Sequence, residues 1–333
     1  MASAASDAST PPSPNGSLTS VDAYTTSQCN RRCNYCFLPG DFFSSGARMS
    51  TDLFAGVVAW SKRHGVGEIT LLGGEPSLHA SFADMVTMAR DEGLLVRVVT
   101  NGARSFRRFL SSGRQAARDL SRVAVSLDTL DEGAQERLRG PGALRDALDT
   151  IDMLRQHEVP FDINVTGVRP ALDRLDELIR FAEGNGCRRV NVHWPSAMGL
   201  GGKLTADDLP EQGEWEKLVQ SVESRVEDRP GFFVEVERGF LSEGEPFTGC
   251  ALTDFSNLQV MPDGRAYRCG LLVDRADMAS LFMAGDELSY TRPDSGEESL
   301  RSLTQVSCDG CPLMRPGGRR ACIYDKVRSI AAQ

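Results

Sequence analysis

From about residue 18 to residue 195 the chain alternates short apolar, β-branched runs with amphipathic helical stretches. The runs predict strands at Val21–Thr26, Glu68–Leu72, Leu95–Val99, Arg122–Leu127, Phe161–Val165 and Arg189–His193, each bounded by Gly, Asn, Pro or Asp. Between them, helical periodicity covers Thr51–His64, Ser81–Glu92, Ser105–Leu120, Ala143–His157 and Leu172–Glu183. In the last of these Leu172, Leu175, Leu178, Ile179 and Ala182 recur on one face. Ser50 is placed to cap the first helix with Asp52 in its first turn, and Gly65 and Gly93 stand where helix C-terminal glycines belong.

Consecutive βα units imply a parallel sheet wound right-handedly, and both a doubly wound sheet and a barrel fit the count. Each polar cluster of interest follows the C-terminal end of a predicted strand, which favours a barrel-like curve. The expected fold class is therefore α/β, a partial (β/α)6 TIM-like barrel over residues 18–231, with a further helix at Glu211–Arg229. Residues 232–333 change character: they carry five of the nine cysteines and a hairpin pattern, Leu258–Met261 and Arg265–Arg268 about a Pro-Asp-Gly turn. They are read as a small second domain. Residues 1–17, small, polar and proline-bearing, are read as a disordered tail.

Composition narrows the partners. The 333 residues are 41% hydrophobic and 25% charged, ordinary for a globular protein, with a formal net charge of −9. That acidity argues against a nucleic-acid partner, whose phosphates need neutralising. No apolar run approaches the roughly 18–20 residues that cross a bilayer, and no secretory signal opens the chain, so a cytoplasmic location is expected. There, clustered cysteines point to metal or redox chemistry rather than disulfides. Cys187 alone reads as an ordinary buried cysteine.

Cys29, Cys33 and Cys36 directly follow the first strand. Three thiolates in one short loop can wrap one face of an iron–sulfur cube and leave one iron open to a ligand. Zinc is the bland alternative. It would want a fourth ligand nearby, and only His64 and His79 stand within reach along the chain.

The spacing Cys29-x3-Cys33-x2-Cys36, with Tyr35 before the last cysteine, resembles the signature of the radical S-adenosylmethionine (SAM) superfamily. The resemblance implies a 4Fe–4S cluster whose open iron is chelated by SAM, with Tyr35 near the adenine. It also implies reductive cleavage to a 5′-deoxyadenosyl radical that takes hydrogen from substrate. Gly73, Gly74 and Glu75, ahead of Pro76, resemble the family's GGEP motif, which contacts the methionyl ammonium. Asn101, Ser126, Asn164 and Thr166, at later strand ends, are candidates for the SAM ribose or carboxylate. The glycine-rich adenine motif of many members is not evident near Val190–Trp194. His193 and Trp194 are candidates for the substrate side.

Cys250, Cys269, Cys308 and Cys311, with Gly264 between the first two, resemble the start of twitch and SPASM extensions. The resemblance implies one auxiliary 4Fe–4S cluster held by those four cysteines, with zinc as the alternative. Cys322 is left as a replacement ligand, a free thiol or a hydrogen-atom donor to a substrate radical.

The four-thiolate pattern also resembles that of aminocyclitol-oxidising enzymes. The leading expectation is thus dehydrogenation or epimerisation of a small polar natural product, an oxidoreductase or epimerase of antibiotic biosynthesis. Glu235, Glu237, Glu243 and Glu245 read either as a solvated surface or as groups placed to attract a cationic substrate. Maturation of a ribosomally made peptide, by thioether, carbon–carbon or epimerised centres, is the alternative. A non-catalytic iron–sulfur carrier is a third reading. An electron donor such as flavodoxin or ferredoxin is the expected protein partner.

Overall fold

A computed structural model of the chain describes residues 18–196, 198–226, 231–237, 257–273 and 279–281. Seven strands follow one another in chain order: β1 (Ser20–Thr26), β2 (Glu68–Gly73), β3 (Leu95–Thr100), β4 (Leu120–Ser126), β5 (Phe161–Thr166), β6 (Arg189–His193) and β7 (Phe233–Val236). Each is parallel to the next. Beyond β1 the sheet continues through β8 (Asn257–Val260), parallel to β1, then β9 (Arg265–Tyr267) and β10 (Ser280–Leu281), both antiparallel to their neighbours. The described sheet ends at β7 and β10 without closing, the architecture of a partial α/β barrel. No described helix is long and apolar enough to cross a membrane.

The alternation along each strand sorts apolar from polar residues. Ile69, Val96, Val98, Val123, Val125, Ile163, Val165, Val190 and Val192 are all buried in the main core. Helices cover that face because their own apolar stripes match it. Helix Thr51–Arg63 buries Leu53, Phe54, Val57 and Val58, and the Ser50 hydroxyl accepts from the Leu53 N–H at 3.1 Å as the sequence predicts. Helix Leu175–Gly184 buries Leu175, Leu178, Ile179 and Ala182.

The alternate positions are polar, and register brings them together. Asp22 pairs with Thr70, Thr70 with Arg97, and Arg97 with Arg122. Arg97 and Arg122 both reach Asp162 of β5, at 3.6 and 3.4 Å. Further along the strands, Tyr24, Leu72, Val99, Ser126, Asn164, Thr166 and His193 all line a single cavity. Period-two geometry therefore stacks a charged layer beneath the cavity at the C-terminal strand ends.

The structure departs from the sequence reading in three places. The helix expected over Ser105–Leu120 is two, Arg104–Leu110 and Gln115–Arg118, broken around Gly113 at φ +68°. Leu172 belongs to a separate short helix, Arg169–Leu172, with Pro170 in its first turn. The parallel strands number seven rather than six. β7 escaped notice because Glu235 and Glu237 interrupt its apolar run, yet it pairs with β6 past residue 231. The expected hairpin is present and joins the same sheet, with Ser20 opposite Asn257 through Ala23 opposite Val260. In doing so it pairs a strand edge of β1 that would otherwise be unsatisfied.

Candidate functional site

The cysteine loop leaves β1 at Thr26 and is clamped from three directions. The tip of β2 docks first: the Gly74 N–H donates to Thr26 O and the Glu75 N–H to Gln28 O, each at 2.7 Å. Gly74 is what permits this approach, since a Cβ there would stand 2.2 Å from Gln28 O and 2.9 Å from Cys29 Cβ. The end of helix Glu132–Arg139 docks second, with the Asn34 N–H donating to Leu138 O at 3.0 Å. A 3-10 turn, Gly199–Lys203, docks third: the N–H groups of Leu200 and Gly201 converge on Cys36 O at 2.8 and 3.1 Å.

The loop delivers Cys29, Cys33, Tyr35 and Cys36 to the wall of a cavity of about 540 Å³. Gly73, Gly74, Asn101, Ser126, Asn164 and Thr166 line the same cavity, as do His193, Trp194 and Glu237. Glu75 does not. Its carboxylate is fully buried behind the wall, accepting from the Ser77 hydroxyl at 2.6 Å, the Thr100 hydroxyl at 2.9 Å and the Asn101 N–H at 2.8 Å. Burial raises its pKa, and those donors offset part of the rise. In this arrangement Glu75 ties the tips of β2 and β3 together.

Tyr35 is held by a pair, Asp128 and Arg139, that sequence reasoning did not join. Its hydroxyl donates to Asp128, which is completely buried and receives Arg139 through Nε at 2.6 Å and a second guanidinium nitrogen at 2.9 Å. The Thr166 N–H also donates to Asp128, at 2.8 Å, and the Arg139 guanidinium lies 5.3 Å from the Tyr35 ring centre. Arg31 is fastened to Asp146 and to the Gly140 and Pro141 carbonyls. The Gly199-Leu200-Gly201-Gly202 run was the readable signal for the third clamp. The Asp128–Arg139 pair had none, because only the fold brings those helix and strand ends together.

The donor set fits an iron–sulfur cluster. Burial pushes the Cys29 thiol up to about 11 and Cys36 up to about 12, and moves Cys33 the same way. Such thiols stay protonated at neutral pH unless a cationic centre holds them as thiolates. Among the described residues no three His, Cys, Asp or Glu side chains are spaced for a single metal ion. A cube asks something else, one thiolate for each of three irons.

Cys269, just beyond β9, lines this cavity too, whereas Cys250, Cys308, Cys311 and Cys322 lie outside the described residues, as do Glu243 and Glu245. Glu235 pairs with Arg189 at 2.8 Å, and Glu237 accepts from the Trp194 N–H at 3.1 Å with His193 Nδ1 at 3.6 Å. Cys187 is buried and donates to Arg189 O at 3.1 Å, and burial pushes it up to about 12.

Residues 24–182 match the family model of the Radical SAM superfamily. It is 26% identical over 208 residues to PqqA peptide cyclase of Bradyrhizobium diazoefficiens, a match covering 61% of this chain and 54% of that protein. The chain thus spans about half the length of that relative. A probable GTP 3',8-cyclase of Thermococcus kodakarensis is 24% identical over 263 residues, 76% of this chain and 84% of that protein. Among solved structures, Streptococcus suis SuiB bound to precursor peptide SuiA shares the fold with a TM-score of 0.68 at 17% identity, over 86% of this chain and 67% of that one.

Proposed function

We propose that this chain is a radical SAM enzyme that modifies a peptide. Cys29, Cys33 and Cys36 would hold a 4Fe–4S cluster, which when bound supplies the electron that cleaves SAM. The protein's own part is to bind, orient and enclose. The Gly73–Gly74 tip presents backbone to the methionyl end, Tyr35 is fixed by Asp128, and Ser126, Asn164 and Thr166 furnish polar contacts along the chamber. The observation that carries this reading is the convergence of those residues with all three cysteines on one cavity at the C-terminal strand ends.

The peptide substrate is supported by the relatives. One is a peptide cyclase, and another was solved with its precursor peptide bound. They reverse the order reached from sequence, where a small aminocyclitol led and a peptide followed. Cys269 on the cavity wall supports an auxiliary cluster beside the first, with Cys250, Cys308 and Cys311 as its further ligands and Cys322 as a reserve ligand or hydrogen donor. A flavodoxin- or ferredoxin-like protein would supply electrons.

The test is anaerobic reconstitution followed by reduction in the presence of SAM, with 5′-deoxyadenosine measured by chromatography. Arms of the assay contain a precursor peptide encoded beside the gene, an aminoglycoside panel, or no substrate. The reading expects 5′-deoxyadenosine above background and a mass change in the peptide arm only. Turnover in the aminoglycoside arm alone restores the small-molecule substrate, and no SAM cleavage in any arm removes the enzyme assignment. About eight irons per chain support the auxiliary cluster, and about four exclude it.

A further inference from the structure

The Asn101 side chain makes a contact that an expected role in binding SAM does not account for. Its amide nitrogen Nδ2 lies 3.6 Å from Cys29 Sγ and donates to Asn30 Oδ1 at 2.9 Å. The backbone N–H of Arg31 donates to the same sulfur at 3.4 Å. Asn101 is held from behind as well, since its backbone N–H donates to the buried Glu75 carboxylate at 2.8 Å. Its Oδ1 is buried without a hydrogen-bond partner. The reverse amide orientation would turn that oxygen onto two acceptors, the Cys29 sulfur and Asn30 Oδ1, so the donor edge belongs on the sulfur.

We propose that Asn101 is a positioning residue that acts through Cys29, donating an N–H···S hydrogen bond that raises the reduction potential of the cluster. The inference rests on Cys29 being a cluster ligand. Hydrogen bonds to ligating sulfurs withdraw electron density and stabilise the more negative, reduced state. Two donors on Cys29, one from the side chain of Asn101 and one from the backbone of Arg31, make it the most strongly hydrogen-bonded of the three thiolates among the described contacts. The chain of contacts also links the Gly73–Glu75 segment to the metal: Glu75 fixes the Asn101 backbone, and Asn101 addresses the sulfur.

The experiment is a reductive titration of the reconstituted full chain, followed by electron paramagnetic resonance, for the wild type, Asn101→Leu and Asn101→Asp. Iron is quantified in each sample. Asn101→Leu, nearly isosteric and without a donor, is expected to keep wild-type iron and shift the midpoint to a more negative value. Asn101→Asp loses the same donor and adds a negative charge, so its shift is expected to be larger in the same direction. Unchanged midpoints at full iron in both variants overturn the proposal. Loss of iron in both also overturns it, because Asn101 would then be holding the loop rather than tuning the metal. A wild type that assembles no 4Fe–4S cluster is a different failure, that of the ligand assignment itself.

Discussion

Gly74→Ala is the sharpest perturbation the structure offers, because a single methyl would strike the cysteine loop. The added Cβ would lie 2.2 Å from Gln28 O, 2.5 Å from Gln28 C and 2.9 Å from Cys29 Cβ. Ordinary contact begins near 3.4 Å, so the carbonyl must retreat by about 1.2 Å (3.4 − 2.2). It cannot do so freely. The Glu75 N–H holds that same carbonyl at 2.7 Å, and the Gly74 N–H holds Thr26 O at 2.7 Å. Overpacking costs about 1–3 kcal/mol, and a buried donor left unpaired costs about 1–3 kcal/mol more. We expect a loss of about 3 kcal/mol, a fall in Tm of about 6–12 °C for a domain of this size. Cys29 is carried along with Gln28, so iron bound after anaerobic reconstitution should fall well below wild type. Differential scanning fluorimetry and iron quantitation read the two effects separately. Gly67→Ala is the control, since nothing lies within 4 Å of its Cβ. A Gly74→Ala protein with wild-type Tm and full iron would refute the clamp.

Other consequences follow from the same geometry. Cys33→Ala should abolish 5′-deoxyadenosine formation by chromatographic assay, and retained activity would remove Cys33 from the ligand set. Asp128→Asn leaves Arg139 buried without its counter-charge and should cost about 3–5 kcal/mol in urea unfolding, so a loss under about 1 kcal/mol would count against the pair as a structural device. Asp22 is half-buried beside Gln259, and desolvation raises its pKa above the usual 3.8. A carboxyl raised in the folded state costs stability as pH climbs from the unfolded pKa through the folded one. Asp22→Asn lacks that cost, so its stability relative to wild type should improve as pH climbs above about 4, and a pH-independent difference would show that Asp22 is not raised.

What the sequence disclosed, and what it withheld, divides along a physical line. Local signals came through: Ser50 as a cap, the strand ends at His193 and Thr26, and the Cys29–Cys36 loop all depend on neighbours within a few residues. Gly73 and Gly74 were legible as a place of close backbone approach. What they approach was not, since their partner is the Thr26–Cys29 backbone rather than a ligand alone. Glu75 was read as a ligand contact, and it is turned away from the cavity to bind Thr100 and Asn101. Asp128 and Arg139 stand eleven residues apart across a loop and the full length of helix Glu132–Arg139, and no periodicity marks them as a pair. β7 was hidden because Glu235, exposed and paired with Arg189, and Glu237, on the cavity wall, break up its apolar run.

An inverted alternation is the feature from which the chemistry follows. A closed barrel of this type fills its interior with branched apolar side chains. Here Asp22, Arg97, Arg122 and Asp162 occupy the inner positions of β1, β3, β4 and β5, at a real desolvation cost: Asp162 is 1% exposed on its side chain and has ion pairs at 3.4 and 3.6 Å without a hydrogen bond. Apolar residues at those positions would pack more cheaply. The charged floor lies beneath a cavity whose wall at the strand ends sets Ser126, Asn164, Thr166 and His193 beside Tyr24, Leu72 and Val99. The cavity is thus set by strand parity, and the cysteine loop, clamped by Gly74, Leu138 and Gly201, is positioned to deliver its thiols into a space the sheet has already kept clear.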